Sequence, residues 1–187
     1  MKSYQITDWI HHFIEEHVKP GDFCIDATMG NGNDTALLSK LAGETGRVLA
    51  FDIQQPALEH TREKLFKEGC PKNYELVLES HEFMADYAEK ESVSCITFNL
   101  GYLPGGDHEK ATRADSSIKA VESGLKLLKK KGMMTVCIYS GGDSGFEEKD
   151  MVLHFLKGLD AKKYLVIVSE YVNRPNHPPI PVLIMKI

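Results

Sequence analysis

Short apolar runs alternate with amphipathic segments along almost the whole of this 187-residue chain. Short apolar runs are typical of buried strands, and apolar side chains at helical spacing are typical of helices that pack on a sheet. The pattern predicts helices over 3–18, 34–41, 56–68, 112–130 and 147–159, and strands over 23–28, 47–53, 74–79, 93–100, 133–139, 164–171 and 181–187. We therefore expect one doubly wound, Rossmann-like α/β domain over 1–187, with helices on both faces of a mostly parallel seven-stranded sheet and the N-terminal helix (1–20) packed on it.

The composition excludes some classes of protein. The net charge of −5 weighs against a large non-specific nucleic-acid surface, although a local basic patch remains compatible with it. No segment approaches the roughly 18 apolar residues of a membrane span, so we expect no membrane partner and a cytoplasmic location. The cysteines form no CxxC pair, and we expect core thiols rather than disulfides or a metal site; they are Cys24, Cys70, Cys95 and Cys137.

A glycine-rich turn separates the first strand from its helix. Gly30 and Gly32 would let a ligand approach the backbone closely, and the helix that follows offers free N–H groups. Asp52 closes the second strand, where a carboxylate can accept hydrogen bonds from both ribose hydroxyls. The sequence therefore predicts a nucleoside-containing cofactor, held by Asp26, Thr28, Gly30, Asn31, Gly32, Asn33, Asp34, Thr35, Asp52, Gln54, Ser80, His81 and Asn99.

Two cofactors compete for this turn. A dinucleotide favours GxGxxG, but Thr35 stands at the third glycine and Asp34 would place negative charge beside the pyrophosphate. S-adenosylmethionine has no phosphate and carries a cationic ammonium, which Asp26 and Asp34 suit better. We therefore expect S-adenosylmethionine. The alternative is an ordinary turn in which Asp34 caps the helix and Asp52 is a solvated strand end.

A second irregular loop, residues 99–107, follows the fourth strand at the edge where open α/β sheets bind ligands. It resembles the Asn/Asp-Pro-Pro-Tyr loop of amino methyltransferases. The resemblance implies that Asn99 and the Leu100 carbonyl orient a target nitrogen, while Tyr102 shapes the pocket. An aliphatic amine must also lose a proton, for which Asp107, His108 and His81 are candidates. The alternative is a turn without functional consequence.

Further substrate contacts are expected at the same edge. The predicted substrate residues are Leu100, Gly101, His108, Tyr139, Arg174 and Asn176. If the sixth strand is parallel to the first five, Arg174 and Asn176 could meet phosphates or base edges; a solvated hairpin tip is the alternative. We expect Lys126, Lys129, Lys130 and Lys131 to end a helix, where cations complement the dipole, and to contact RNA only secondarily.

Nearly the whole chain resembles the YtqB/MnmM-type methyltransferases, a family also described as rRNA methylases. The shared motifs are 26–35, 51–54, 80–81, 98–107 and 176–179. The resemblance implies an antiparallel hairpin strand at the end of the sheet. It also implies S-adenosylmethionine-dependent conversion of 5-aminomethyl-2-thiouridine to 5-methylaminomethyl-2-thiouridine at the wobble position (U34) of tRNA.

The expected partner is therefore the tRNA anticodon stem-loop, and a homodimer would bring a second chain's lysines near the site. Two segments depart from the family pattern, Ser140-Gly141-Gly142 and His108, where histidines and a lysine are frequent. The alternatives are a methyltransferase acting on rRNA or on a small-molecule amine, and a non-catalytic module that binds the cofactor.

Overall fold

The computed structural model describes residues 4–101, 114–139 and 145–187. The helices in these ranges are α1 (Ile6–His17), α2 (Asn33–Ala42), α3 (Gln55–Lys67), α4 (Ala114–Leu127) and α5 (Gly145–Lys157). A short 3-10 helix covers His81–Asp86. The strands are β1 (Phe23–Asp26), β2 (Arg47–Asp52), β3 (Tyr74–Leu78), β4 (Val93–Leu100), β5 (Leu128–Ile138), β6 (Tyr164–Val168) and β7 (Ile180–Lys186).

The strands form a seven-stranded sheet in the order β3-β2-β1-β4-β5-β7-β6. The first five strands are parallel to one another, and β7 is antiparallel to both β5 and β6. β6 therefore runs in the same direction as the first five. The strand order changes direction between β1 and β4, and the carboxyl ends on either side of such a point are where open sheets bind ligands. The predicted fold class, including the antiparallel terminal hairpin, is confirmed.

Both faces of the sheet are covered because successive residues of a strand point to opposite sides. On one face, Cys24 of β1 packs in a buried cluster with Ile14 of α1 and Leu38 of α2. On the other face, Ile25 packs with residues of α4 and α5, including Val121 and Val152. Strands buried on both faces read as continuous apolar runs, which explains why they were recognisable.

The lysine-rich segment was predicted correctly at Lys126, which lies in the last turn of α4, and wrongly at the three lysines that follow. The helix ends at Leu127, and β5 begins at Leu128 rather than at residue 133, so Lys129, Lys130 and Lys131 lie in the strand. The register of β5 against β4 shifts between Val93 and Cys95, which accommodates the extra residues. Lys129 Nζ donates a hydrogen bond to Asp22 Oδ1 at 2.8 Å. Three successive lysines after a helical pattern look like the basic last turn of a helix, so the local pattern did not indicate the start of a strand.

Three of the four cysteines are buried in the core, as predicted, whereas Cys70 is only partly buried. All four are free thiols, and Cys24, Cys95 and Cys137 are buried in β1, β4 and β5. Within the ranges described, no group of three or more His, Cys, Asp or Glu side chains could hold a metal ion. The described helices are also too short or too polar to cross a membrane.

Candidate functional site

The glycine turn after β1 is held down by backbone hydrogen bonds to both neighbouring strands. Ala27 N–H donates to the Thr97 carbonyl of β4, and Met29 N–H donates to the Phe51 carbonyl of β2, both at 2.9 Å. Gly32 then begins α2 with a φ of +75°, and it carries no side chain that could cap the helix. The first N–H groups of α2 therefore receive no side-chain cap from Gly32 and are available to a ligand.

Asp52 connects this turn to the end of β2. Its Oδ2 accepts from Gly30 N–H at 3.0 Å, and its Oδ1 accepts from Gln54 N–H at 2.9 Å. Burial raises the pKa of Asp52, although these backbone donors oppose the shift. Each carboxylate oxygen keeps further lone-pair capacity, so the side chain can still accept hydrogen bonds from a ligand.

Asp26 is fully buried, which the sequence pattern did not indicate, and its predicted contact with the cofactor stays a prediction. Thr35 Oγ1 donates to its Oδ2 at 2.6 Å, and Thr28 N–H donates to its Oδ1 at 3.2 Å. Burial, with the nearby charge of Asp34, raises the pKa of Asp26 to about 7. Asp26 therefore supports the turn from beneath. Asn31 and Asn33 are exposed at its rim.

Asp34 contacts side chains from two other elements of the structure. Its Oδ2 accepts a hydrogen bond from Asn99 Nδ2 at 2.8 Å, and its Oδ1 contacts His11 Nε2 at 2.7 Å. Asn99 N–H also donates to Thr28 Oγ1 at 2.7 Å, which fixes the backbone of β4 against the glycine turn. The structure therefore brings Asn99, the first residue of the second predicted loop, against the glycine turn, and it adds His11, which the sequence did not single out.

The end of β3 contributes Ser80 and His81. The Ser80 side chain caps the 3-10 helix by accepting a hydrogen bond from Glu82 N–H. His81 is buried, with Nδ1 3.2 Å from the Ala27 carbonyl and its ring edge-on to Phe98. Burial lowers the pKa of His81. Its Nε2 is buried without a hydrogen-bond partner among the described residues.

Three partly exposed apolar side chains form a rim at this edge of the sheet, and they were not predicted from the sequence. Ile53 follows β2, Leu78 ends β3 and Phe83 lies in the 3-10 helix, and each is about half exposed. Exposed apolar side chains at the carboxyl ends of adjacent strands suit the flat face of a purine. Each is isolated in the sequence and gives no signal of its own. Gln54 is buried and begins α3.

The ends of β4 and β5 lie side by side. Tyr139 N–H donates to the Leu100 carbonyl at 2.9 Å, so that carbonyl has one lone pair left for a substrate. A Cβ on Gly101 would lie 2.9 Å from the Tyr139 Cβ, which shows how closely these two backbones approach. Burial raises the pKa of Tyr139 to about 12. The predicted residues Tyr102, Asp107 and His108 lie outside the described residues, as does the Ser140–Gly142 segment.

Arg174 and Asn176 are exposed in the loop between β6 and β7. Because β6 is parallel to the first five strands, this loop begins at the same edge of the sheet as the glycine turn. The loop joins β6 to β7, and β5 lies between β7 and β4 in the strand order. The structure thus places both residues at the expected edge, and their contact with substrate stays a prediction.

Comparison with known proteins defines the family. The family model described as "Putative rRNA methylase" matches residues 48–185, about three quarters of the chain. The chain belongs to this family. A protein of the same description from Clostridium thermocellum has 45% identity and a TM-score of 0.96, with both chains covered completely. A Streptococcus mutans protein, described as a putative methyltransferase in complex with SAH, has 36% identity and a TM-score of 0.89 over 99% of both chains.

A curated relative from Arabidopsis thaliana is named a chloroplastic tRNA (mnm(5)s(2)U34)-methyltransferase. It is 34% identical over 92% of this chain, and the chain spans 66% of its length. These comparisons confirm the predicted family, the enzyme class (an S-adenosylmethionine-dependent methyltransferase) and the cofactor.

Proposed function

We propose that this family member methylates the aminomethyl nitrogen of 5-aminomethyl-2-thiouridine at U34 of tRNA, giving 5-methylaminomethyl-2-thiouridine. The observation that carries the proposal is the hydrogen bond from Asn99 Nδ2 to Asp34. It occupies the donor side of the amide, so Oδ1 of Asn99 is the atom presented as a hydrogen-bond acceptor. An acceptor beside the cofactor turn suits an N–H group of a target amine. The name of the Arabidopsis relative supports the nucleoside.

The residues around the turn fit S-adenosylmethionine. A Cβ on Gly32 would lie 2.8 Å from Thr61 Oγ1, so the glycine lets α3 pack directly against the turn and hold its shape. Asp52 would hold the ribose, and the exposed rim of Ile53, Leu78 and Phe83 would pack on the adenine. The partnerless Nε2 of His81 suits a donor on the adenosyl group. When bound, the cofactor supplies an electrophilic methyl group on sulfur.

The ammonium of the cofactor fits the acidic side of the turn. Asp34 is partly exposed and ionised carboxylates favour a cation, while the buried Asp26 lies directly behind the turn. A pyrophosphate at the start of α2 would lie beside Asp34 and would raise the pKa of the buried Asp26 still further, so it fits this turn less well. The charges of this edge therefore support the methionyl cofactor over a dinucleotide.

Asn99 and the Leu100 carbonyl would orient the substrate amine. Oδ1 of Asn99 accepts one N–H, and the remaining lone pair of the Leu100 carbonyl accepts another, which directs the nitrogen lone pair toward the cofactor. Positioning of this kind can supply several kcal/mol of a barrier without a covalent intermediate. The amine must be neutral to carry a lone pair, so we expect the rate to rise with pH in the range where the amine titrates.

Several finer points stay proposals. Arg174 and Asn176 would contact the anticodon stem-loop, and a homodimer would bring further lysines to this acidic chain. A single domain over 1–187 and a cytoplasmic location are likewise expectations. The second candidate function, methylation of rRNA, is favoured by the description of the family itself.

The decisive experiment uses the purified protein with labelled S-adenosylmethionine and three RNAs. These are a tRNA carrying 5-aminomethyl-2-thiouridine, the same tRNA with unmodified U34, and ribosomal RNA. We expect nucleoside mass spectrometry to find one added methyl group only on the first RNA. Methylation of ribosomal RNA alone would establish the second candidate, and absence of turnover on every RNA would contradict both. Asn99→Ala is expected to bind the cofactor but lose most of the turnover.

A further inference from the structure

The N-terminal helix reaches the candidate site through one side chain. His11 of α1 contacts Asp34 Oδ1 through Nε2 at 2.7 Å, and the other oxygen of the same carboxylate accepts from Asn99 Nδ2 at 2.8 Å. The three side chains come from α1, the first turn of α2 and the end of β4. One carboxylate therefore bridges the N-terminal helix and the residue proposed to orient the amine.

We propose that His11 is a positioning residue for methyl transfer, which holds Asp34 and, through Asp34, fixes the amide of Asn99 with Oδ1 toward the substrate. This inference rests on the proposed function of Asn99. His11 acts through other residues and does not itself touch the reacting atoms.

The geometry explains why a third residue is useful. An asparagine amide can rotate by half a turn and exchange its donor and acceptor, which would present Nδ2 to the amine in place of Oδ1. Asp34 prevents this only while its own carboxylate stays in place. The hydrogen bond from His11 restrains the second oxygen, and charge-assisted hydrogen bonds of this kind are among the stronger ones. The side chains of His11 and Asp34 are 24% and 12% exposed, so solvent competes only partly for the contact.

The surroundings favour a charged His11. The hydrogen bond to Asp34 raises the pKa of His11, although burial opposes the shift, and Asp8 and Glu15 of the same helix act in the same direction as Asp34. Across a cavity of about 390 Å³, His11 faces Lys40 of α2 and the α3 pair Lys64 and Glu68. Both lysines are already paired with Glu68, at 2.6 and 2.9 Å, so Asp34 is the carboxylate in contact with the imidazole.

The first test compares substitutions at His11 with a control one residue along the helix. His11→Ala removes the donor, whereas His11→Gln keeps an N–H group near the position of Nε2 without the charge. His12→Gln makes the same chemical change at a residue whose ring packs on Phe13 instead. We expect His11→Ala to lower kcat on the modified tRNA about tenfold, with KM for S-adenosylmethionine changed less than threefold. His11→Gln should recover most of kcat, and His12→Gln should resemble the wild type.

The second test asks whether His11 acts through Asp34. In an Asp34→Ala background, His11→Ala should cause no further loss of kcat, because the connection is already broken. Additive losses would overturn the proposal, as would a His11→Ala enzyme with wild-type kcat. Equal losses in His11→Ala and His11→Gln would overturn it as well. Thermal melting of each variant shows whether a lower kcat reflects unfolding.

A titration separates this inference from the proposed function. The His11 ring, followed by NMR, should titrate above an ordinary histidine and fall toward the ordinary value in Asp34→Asn. If the wild type methylates no tRNA while this titration is as expected, the proposed function fails and the contact stands. If the wild type is active and His11 titrates as in Asp34→Asn, the positioning role fails alone.

Discussion

Gly32 lies directly against Thr61 of α3, and the contact leaves no room for a side chain. A Cβ at Gly32 would be 2.8 Å from Thr61 Oγ1 and 3.0 Å from its Cα, and the φ of Gly32 is +75°. The hydroxyl of Thr61 in turn donates to the Gly30 carbonyl at 3.1 Å. The glycine turn is therefore shaped by α3 as well as by the ends of β1 and β2.

Gly32→Ala should destabilise the protein and weaken cofactor binding, because it adds a clash with backbone to a strained φ. We expect the free energy of unfolding to fall by about 2–4 kcal/mol, as for strained and overpacked sites. Gly69→Ala is the matched control, since Gly69 has a φ of +63° with nothing within 4 Å of the added Cβ. It should cost about 1 kcal/mol. Urea unfolding of both variants measures the difference, and equal losses would show that the Thr61 contact is unimportant.

Asp52→Ala should weaken binding of S-adenosylmethionine by about 1–3 kcal/mol, the range for hydrogen bonds to a charged group. The reason is the loss of a carboxylate that is fixed by Gly30 and Gln54 and still has free lone pairs. Isothermal titration calorimetry gives the affinity directly. Asp86→Ala removes an exposed acidic residue elsewhere on the same domain and should leave the affinity unchanged. An unchanged affinity in Asp52→Ala would remove Asp52 from the site.

The fold could be predicted because strands buried on both faces consist of continuous runs of apolar residues. β4, Val93–Leu100, was predicted with its observed bounds, and the glycine turn and Asp52 were placed together by the parallel order of β1 and β2. Local patterns failed where a tertiary contact decides the structure. Lys129 belongs to β5 because the preceding Leu128 pairs with Val93 of β4, a contact that is distant in sequence.

The site was predicted only in part for the same reason. Aspartates are usually exposed, so no pattern showed that Asp26 is fully buried beneath the turn. His11 occupies a helix whose apolar residues already explain its spacing, and its contact with Asp34 spans 23 residues of sequence. Motif spacing therefore predicted groups for contact with the ligand, whereas the groups that hold these residues in place required the structure.

The cysteines should react in a fixed order. Burial raises the pKa of Cys24 and Cys137 to about 12 and that of Cys95 well above its ordinary value, whereas Cys70 is only partly buried. Because the thiolate is the reactive form, we expect native alkylation to modify Cys70 first. Mass spectrometry of partially alkylated protein shows the site. Cys70→Ser should abolish the fast phase, and a fast phase that persists in this variant would contradict the burial of the other three.

Asp26 should make the stability of the cofactor-free protein depend on pH. Its folded-state pKa, about 7, lies above the ordinary value of 3.8, so the neutral carboxyl favours folding. This contribution is complete below about pH 4 and is lost as the pH rises through 7. Asp26→Asn cannot ionise, and its advantage in unfolding free energy over the wild type should grow between pH 5 and pH 8. Urea unfolding at the two pH values tests this, and a constant difference would contradict the raised pKa.

Binding of S-adenosylmethionine should release a proton near pH 6 and almost none near pH 9. The cationic ammonium of the cofactor would lie on the acidic side of the turn, and a nearby cation lowers the pKa of a carboxyl group. Since Asp26 is largely protonated below its pKa of about 7, its ionisation on binding must send a proton to the buffer. Calorimetry at pH 6 in two buffers of different ionisation enthalpy counts the protons released. Asp26→Asn should release fewer, and equal release from both proteins would assign the proton to another group.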